Sequence, residues 1–293
     1  MMLYSGISVS NNERSTNDDT FFIKQALFHD KPLSFFGVFD GVSSYVDIKS
    51  LQVSQRLASD EFFNEFIAKL ESTGLNFEKA LYELFVDFDK NFQDCQKSAS
   101  TAAVCVFYDD FIYAANVGDS KSILFFDDQE TPITLSEEHS CNNREELERV
   151  KAKFDVSRGT RSKLYFIDPY KTVAIGISRF FGGQKYKQLI QGMCCVPYIK
   201  TVNVTGKSFS LFLFTDGFED LVQEKSFWAL TSDRYECLRV VKTIKTQEQM
   251  NLFVKEVIEK ERKEYIKIIR EEEQLTSDPY LDDTTLIAVR RNL

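Results

Sequence analysis

Four short aspartate-rich turns, each set against an apolar run of strand type, constrain this chain more than anything else in it. The turns are Asn17-Asp18-Asp19, Phe39-Asp40-Gly41, Thr215-Asp216-Gly217 and Asp282-Asp283-Thr284-Thr285. The runs beside them are Thr20 to Ile23, Leu33 to Phe39, Phe209 to Phe214 and Thr285 to Val289. Strand ends that carry acids are where a sheet can gather carboxylates into one pocket. Several carboxylates cannot share a pocket as bare anions, because like charges raise each other's pKa and desolvation adds to the cost. A divalent cation removes that conflict, and an all-oxygen donor set selects a hard ion such as Mg2+ or Mn2+ over zinc or copper. Asp and Gly also mark ordinary turns, so the signal lies in the four-fold recurrence and not in any one cluster.

Helical periodicity fills the gaps between strands. A stretch from about Asp47 to Glu71 carries Leu51, Ala58, Phe62, Phe66 and Leu70 on one side and stops at Thr73-Gly74. A second begins after Asn76, a good N-cap, with Phe77, Leu81, Leu84, Phe85, Phe88 and Phe92 at spacings of three and four. Three strands follow, Ala102 to Phe107, Phe111 to Asn116 and Lys121 to Phe126, the first two joined by Asp109-Asp110 as a hairpin turn. A shorter helix is expected over Asn143 to Lys153 and a long one over about Thr246 to Glu273. Charge interrupts the apolar side of that long helix between Glu259 and Glu264, so it is expected to overhang the sheet there. Helix pairs alternating with strand groups give a layered α+β architecture. No repeat or linker divides the chain, so residues 1–293 read as one domain.

Composition excludes several classes. The chain is 43% hydrophobic, ample for a core, yet no apolar run approaches a membrane span. Met1-Met2-Leu3-Tyr4 lacks the regions of a signal peptide, and Met2 stands where N-myristoylation needs glycine. The six cysteines show no C-x-x-C spacing and read as reduced thiols, so a cytoplasmic or also nuclear location is expected. Only two histidines occur, His29 and His139, which argues against zinc hydrolases. No C-x5-R thiolate motif and no G-x-x-x-x-G-K-[ST] loop is present. A net charge of -9 argues against nucleic acid as a partner.

Taken in order, the motifs resemble those of the metal-dependent Ser/Thr protein phosphatases of the 2C type. Arg14 precedes Asp18-Asp19 at the spacing of that family's phosphate-binding arginine and acidic pair. Val38-Phe39-Asp40-Gly41 matches V-F-D-G, and Ser100-Thr101-Ala102 matches S-T-A. Ala115 to Lys121 resembles A-N-x-G-D-S-R with Lys for Arg, and Ser178 to Gly182 resembles S-R-x-F-G. Thr215 to Asp220 resembles the S-D-G-x-x-D turn, and Asp282 to Thr285 resembles D-N-x-T. The resemblance implies a four-layer α-β-β-α sandwich of two antiparallel sheets flanked by helices, with a metal cleft at one edge. It implies hydrolysis of phosphoserine and phosphothreonine in proteins by water activated between two Mg2+ or Mn2+ ions. In that scheme Asp40 touches both ions, Gly41 offers its carbonyl, Asp216 and Asp282 complete the set, and Asp18 acts through water. Arg14 grips the substrate phosphate. Asp19, Asp119, Asp220 and Asp283 would serve a third, weaker ion or order the surroundings. Phosphoproteins are the implied partners, with no membrane partner, and a monomer is expected.

Departures from the family pattern set up the chief alternative, a binding or scaffold module that keeps the fold without turnover. Val42 stands where many eukaryotic members have a histidine able to donate a proton, and Ser43-Ser44 replace glycines. General acid catalysis is typically worth roughly 10²–10⁴-fold. Gly183 stands where the family has Asp. Finally, Arg158 to Lys187 holds seven basic residues (Arg158, Arg161, Lys163, Lys171, Arg179, Lys185, Lys187) against one acid, Asp168. Such a flap beside the cleft would steer acidic substrates in an otherwise acidic protein.

Overall fold

A computed structural model describes residues 2–11, 16–42, 50–150, 153–156, 164–169, 174–228, 233–272 and 274–293. Arg14, Ser43, Ser44, Arg158, Arg161, Lys163 and Lys171 lie outside the described residues. The first strands are β1 (Met2–Val9), β2 (Thr20–Phe28), β3 (Lys31–Phe39), β4 (Gly41–Val42), β5 (Ala99–Ser100), β6 (Ala102–Tyr108), β7 (Phe111–Val117) and β8 (Lys121–Phe126). They are followed by β9 (Ile133–Thr134), β10 (Lys153–Val156), β11 (Leu164–Ile167), β12 (Ala174–Ile175), β13 (Phe181–Gly182), β14 (Tyr198–Asn203), β15 (Phe209–Phe214) and β16 (Thr284–Arg291). The helices are α1 (Ser50–Leu57), α2 (Asp60–Ser72), α3 (Phe77–Phe88), α4 (Arg144–Arg149), α5 (Gln184–Leu189), α6 (Asp216–Trp228) and α7 (Gln247–Glu272).

Two five-stranded antiparallel sheets form the centre, in the orders β1-β16-β15-β8-β9 and β14-β7-β6-β3-β2. The inner strands β3, β6 and β15 are apolar at nearly every position because both faces are covered. Along β3, Phe36 and Val38 point between the sheets with Ala103, Leu124, Leu213 and Ile287. Phe35 and Phe39, one residue out of phase, face α1–α3 with Phe62, Phe66 and Phe85. Along β15, Leu211 and Leu213 face inward, while Phe212 and Phe214 face α6 and α7 with Phe218, Met250 and Phe253. Side chains alternate across a strand with a period of two, and here both sets are buried. The result is the four-layer α-β-β-α sandwich. Among the described residues, no helix is long and apolar enough to cross a membrane.

Two helix expectations are corrected. The stretch expected as one helix is two, because Ser59 accepts from the Phe62 N–H at 3.4 Å and starts α2 afresh. The long helix does not lift away where its apolar side is interrupted. Glu261 there is buried, and Tyr265 and Ile269 continue the packing against Leu221 and Leu281. The hairpin at Asp109 holds, with Asp109 at φ 55°, and Asn76 caps α3 by accepting from the Lys79 N–H at 3.0 Å.

Register brings the acid-bearing ends together. Val9 pairs with Thr284, Thr20 with Phe39, Ala102 with Val117, and Phe214 with both Lys121 and Leu286. All four aspartate turns, and the β7–β8 turn with them, therefore leave the sandwich at one end. A small sheet, β13-β5-β4, closes over that end, with Gly41 opposite Ser100.

Candidate metal centre

Asp40 leaves β3 and is gripped at once by the next sheet element. Its N–H donates to Thr101 Oγ1 at 3.2 Å, and the Thr101 N–H donates to the Asp40 carbonyl at 2.9 Å. Thr101 Oγ1 also shares a hydrogen bond of 2.7 Å with Ser120 Oγ. Between them sits Gly118, at φ 88°, where a Cβ would meet Thr101 Cγ2 at 2.5 Å. Only glycine fits so close a turn at positive φ. The S-T-A and G-D-S segments thus interlock, and the interlock places Asp119 beside Asp40.

Carboxylate oxygens of Asp40, Asp119 and Asp216 all lie within 4.8 Å of one another. All three residues are half-buried. The Asp40 carboxyl is pushed well above the usual carboxylate range, first by burial, then by the charges of Asp216, Asp19, Asp119 and Asp282. Asp119, ranked behind Asp282 from sequence, therefore sits in the tightest cluster, while Asp282 contributes its charge from beside it. Asp220 follows Asp216 by one turn of α6 and is half-buried.

Neighbouring acids are occupied as struts. Asp283 Oδ1 accepts from the Asn11 N–H at 2.6 Å and from Asn11 Nδ2 at 2.9 Å, and its Oδ2 accepts from the Asp18 N–H at 2.7 Å. One carboxylate so ties the ends of β1 and β16 to the start of β2. Asp19 is buried and its Oδ2 accepts from Thr215 Oγ1 at 2.6 Å and Thr285 Oγ1 at 2.9 Å. Burial raises the Asp19 pKa far more than those hydroxyls lower it. Asp18 is buried at the same junction, and its carbonyl accepts from Ser54 Oγ at 2.8 Å. Gly41 passes so near that a Cβ there would sit 2.6 Å from that carbonyl. Asp282 Oδ1 accepts from its neighbour's N–H at 2.9 Å and from the Tyr280 hydroxyl at 3.2 Å.

Several supporting residues were given no role from sequence. Thr101, Thr215 and Thr285 stood inside matched motifs without a partner assigned, and Asn11 carried no signal. Arg262 had one, the charged break in α7 read as an overhang. Its guanidinium reaches Ser10 O at 3.0 Å and Thr284 Oγ1 at 3.2 Å, holding two turns of the site together. Lys121 pairs with buried Glu219 at 2.7 Å, and Glu219 also receives Arg234 at 2.8 Å and Tyr235 at 2.9 Å.

The basic segment is only partly a free surface. Arg179 pairs with buried Glu146 at 2.7 Å, and Lys187 pairs with Asp89 at 2.6 Å with both side chains largely covered. Gly183 is left-handed at φ 58° and a Cβ would meet the Phe180 ring at 2.6 Å. Val42 packs on the apolar cluster that includes Ala99, Phe166 and Phe180.

A donor set of carboxylate oxygens that repel one another, with one carboxyl forced toward its protonated form, fits hard divalent ions. Similarity to known proteins points the same way. The model of the family described as Protein phosphatase 2C matches residues 2–251. Probable protein phosphatase 2C 52 of Oryza sativa subsp. japonica is 26% identical over 75% of this chain and 42% of its own length. Probable protein phosphatase 2C 76 of Arabidopsis thaliana is 26% identical over 76% of this chain and 50% of its own. The chain thus spans about half the length of these relatives. In fold it is similar to a serine-threonine phosphatase 2C from Toxoplasma gondii, with TM-score 0.70, 16% identity, and 98% and 94% of the two chains covered. A C.elegans sex determining protein superposes at TM-score 0.68 and 17% identity, covering 99% of this chain and 64% of that one.

Proposed function

The chain belongs to the protein phosphatase 2C family, a family of metal-dependent protein phosphatases, and we propose on that premise that it hydrolyses phosphoserine and phosphothreonine in cytoplasmic or nuclear proteins. The convergence of Asp40, Asp119 and Asp216 carboxylates within 4.8 Å carries this reading. Asp40, Asp216, Asp282 and the Gly41 carbonyl would hold two Mg2+ or Mn2+ ions, with Asp119 and Asp220 toward a third. When bound, such ions supply Lewis-acid activation of water and neutralise charge on the phosphoryl group.

What the chain's own residues contribute is position and charge. Asp40 is fixed by Thr101 at both backbone groups, so its carboxylate meets the site at little cost in freedom. Arg14 would grip two phosphate oxygens through its planar fork, which Lys cannot copy. Water adds to phosphorus in line, the bond to the serine or threonine oxygen breaks, and that oxygen leaves with a proton. No nucleophilic side chain is needed. Val42 has no proton to give, so the leaving oxygen takes its proton from solvent and turnover is slower than with a histidine there.

A second reading, a phosphoprotein-binding module without turnover, is favoured by one observation: Val42 is spent on apolar packing. Phosphate release from a phosphothreonine peptide with and without Mn2+ separates the two. Release that depends on the ion supports hydrolysis. Tight peptide binding without any release supports the module.

A further inference from the structure

The described part of the basic segment divides its cations into two kinds. Arg179 and Lys187 are neutralised by Glu146 and Asp89. Lys185 is not. With Lys97, Gln96, Gln188 and Leu189 it lines a hollow of about 500 Å³. Both lysines are half-buried, and among the described residues no carboxylate pairs with either. The nearby acids are engaged elsewhere: Asp89 accepts from the Gly182 N–H at 2.8 Å as well as from Lys187, and Asp94 accepts from the Cys95 thiol at 3.7 Å.

Backbone contacts fix this hollow to the metal centre. The Gly183, Gln184 and Lys185 N–H groups donate to Ser98 O, Cys95 O and Gln96 O at 2.8, 3.0 and 2.8 Å. Lys185 is therefore clipped to the segment that carries Lys97. Three residues beyond Lys97, Ser100 pairs with Gly41. Lys97, in a bend, and Ser98 precede β5, and three residues reach at most about 10 Å, so the hollow lies within about 10 Å of the metal-site backbone. An extended peptide covers that span with up to about three residues. Two ammonium groups with no carboxylate partner among the described residues, in a chain of net charge -9, make a local field opposite in sign to the chain as a whole.

We propose that this hollow is a subsite for a second anionic group of the substrate, a carboxylate or a second phosphate about three residues from the phosphoserine or phosphothreonine. The proposal rests on the phosphatase reading and extends it to substrate class. The double variant Lys97→Ala/Lys185→Ala tests it with four kinds of substrate. These are a phosphothreonine peptide with neutral flanks, versions carrying aspartate or phosphoserine three residues to either side, and para-nitrophenyl phosphate. The wild type should show a KM roughly three- to ten-fold lower for an anionic peptide than for the neutral one, the scale of one or two partly exposed ion pairs. The variant should lose that preference and keep its rates on the neutral peptide and the aryl ester. Aspartate against phosphoserine tells which anion is taken. An unchanged preference in the variant, or an equal loss on all substrates, overturns the subsite. Should nothing be hydrolysed, equilibrium binding of the same peptides decides separately: an anionic preference that the variant loses keeps the subsite while the phosphatase reading fails, and no preference in the wild type overturns it.

Discussion

Thr101 holds Asp40 by two hydrogen bonds of opposite direction, its hydroxyl accepting from the Asp40 N–H at 3.2 Å and its own N–H reaching the Asp40 carbonyl at 2.9 Å. The same hydroxyl meets Ser120 next to Asp119, so one side chain sets two of the clustered acids. Thr101→Val keeps the shape and removes the oxygen. It should weaken Mn2+ binding by about ten-fold or more, the scale of a lost outer partner, while Thr101→Ser should restore most of it. Calorimetric titration reads this directly, and equal affinities in all three proteins would show the grip to be idle.

Asp40 itself should behave oppositely with and without metal. Its folded-state pKa is raised, so the free protein gains stability from it below the unfolded pKa and loses that stability as pH rises through the folded value. At pH 7 without metal, Asp40→Asn should therefore raise the melting temperature. With Mn2+ the order should reverse, because the variant lacks a ligand. It should also cost more turnover than Asp119→Asn. Scanning calorimetry with EDTA and with Mn2+ checks the reversal; the same rank order in both conditions contradicts it.

Lys187 and Lys185 should part company. Lys187→Glu sets two carboxylates face to face at Asp89 and removes a largely covered pair, which should cost about 2 kcal/mol or more. Lys185→Glu should leave stability within about 0.5 kcal/mol, as for a surface change. Urea midpoints separate them, and similar midpoints would return both to one class.

Acid should unfold the protein in two stages. His139 is fully covered, neither ring nitrogen has a protein partner among the described residues, and burial pushes its pKa down to about 3. The unfolded chain takes up a proton there that the fold does not, so stability falls as pH drops from about 6.5 toward 3. Burial would raise the Glu146 pKa, but hydrogen bonds from Arg149, Arg179 and Ser178 outweigh it and hold it at about 2. Stability from Glu146 is full above about 4.5 and is lost as pH falls toward 2. His139→Phe should flatten the slope between pH 6 and 4.5 and leave the lower stage. Denaturation at stepped pH measures it, and an unchanged slope in the variant would remove His139 from the account.

The layered α+β character was legible because strands and helices keep their periods, and the family resemblance supplied the four layers; Phe35 and Phe36 face opposite layers, as a period of two requires. The gathering of the acids at one end of the sandwich was legible because they sit at strand ends. What sequence left out were the connections between turns. Asp283 reaches Asn11 across 272 residues and Asp19 reaches Thr215 across 196, and nothing local marks a partner that distant. Arg262 shows the converse error. A charged break in an apolar stripe usually means solvent, but here it carries a half-buried strut. Within the basic segment, the carboxylate partners of Arg179 and Lys187 were hidden for the same reason, since a cation's partner is invisible until the fold supplies it.

The central claim is that the acids gathered around Asp40, with Asp216 and Asp282 as its fellow ligands and Asp119 beside them, form a divalent-metal centre that hydrolyses phosphoprotein esters. Phosphate release from a phosphothreonine peptide, titrated with Mn2+ and then with EDTA, tests it most directly in the wild type and in Asp40→Asn. Release should rise with Mn2+, fall to background with EDTA, and be all but absent in the variant. Full release in EDTA, equal release by the variant, or none from the wild type at saturating Mn2+ would contradict the claim.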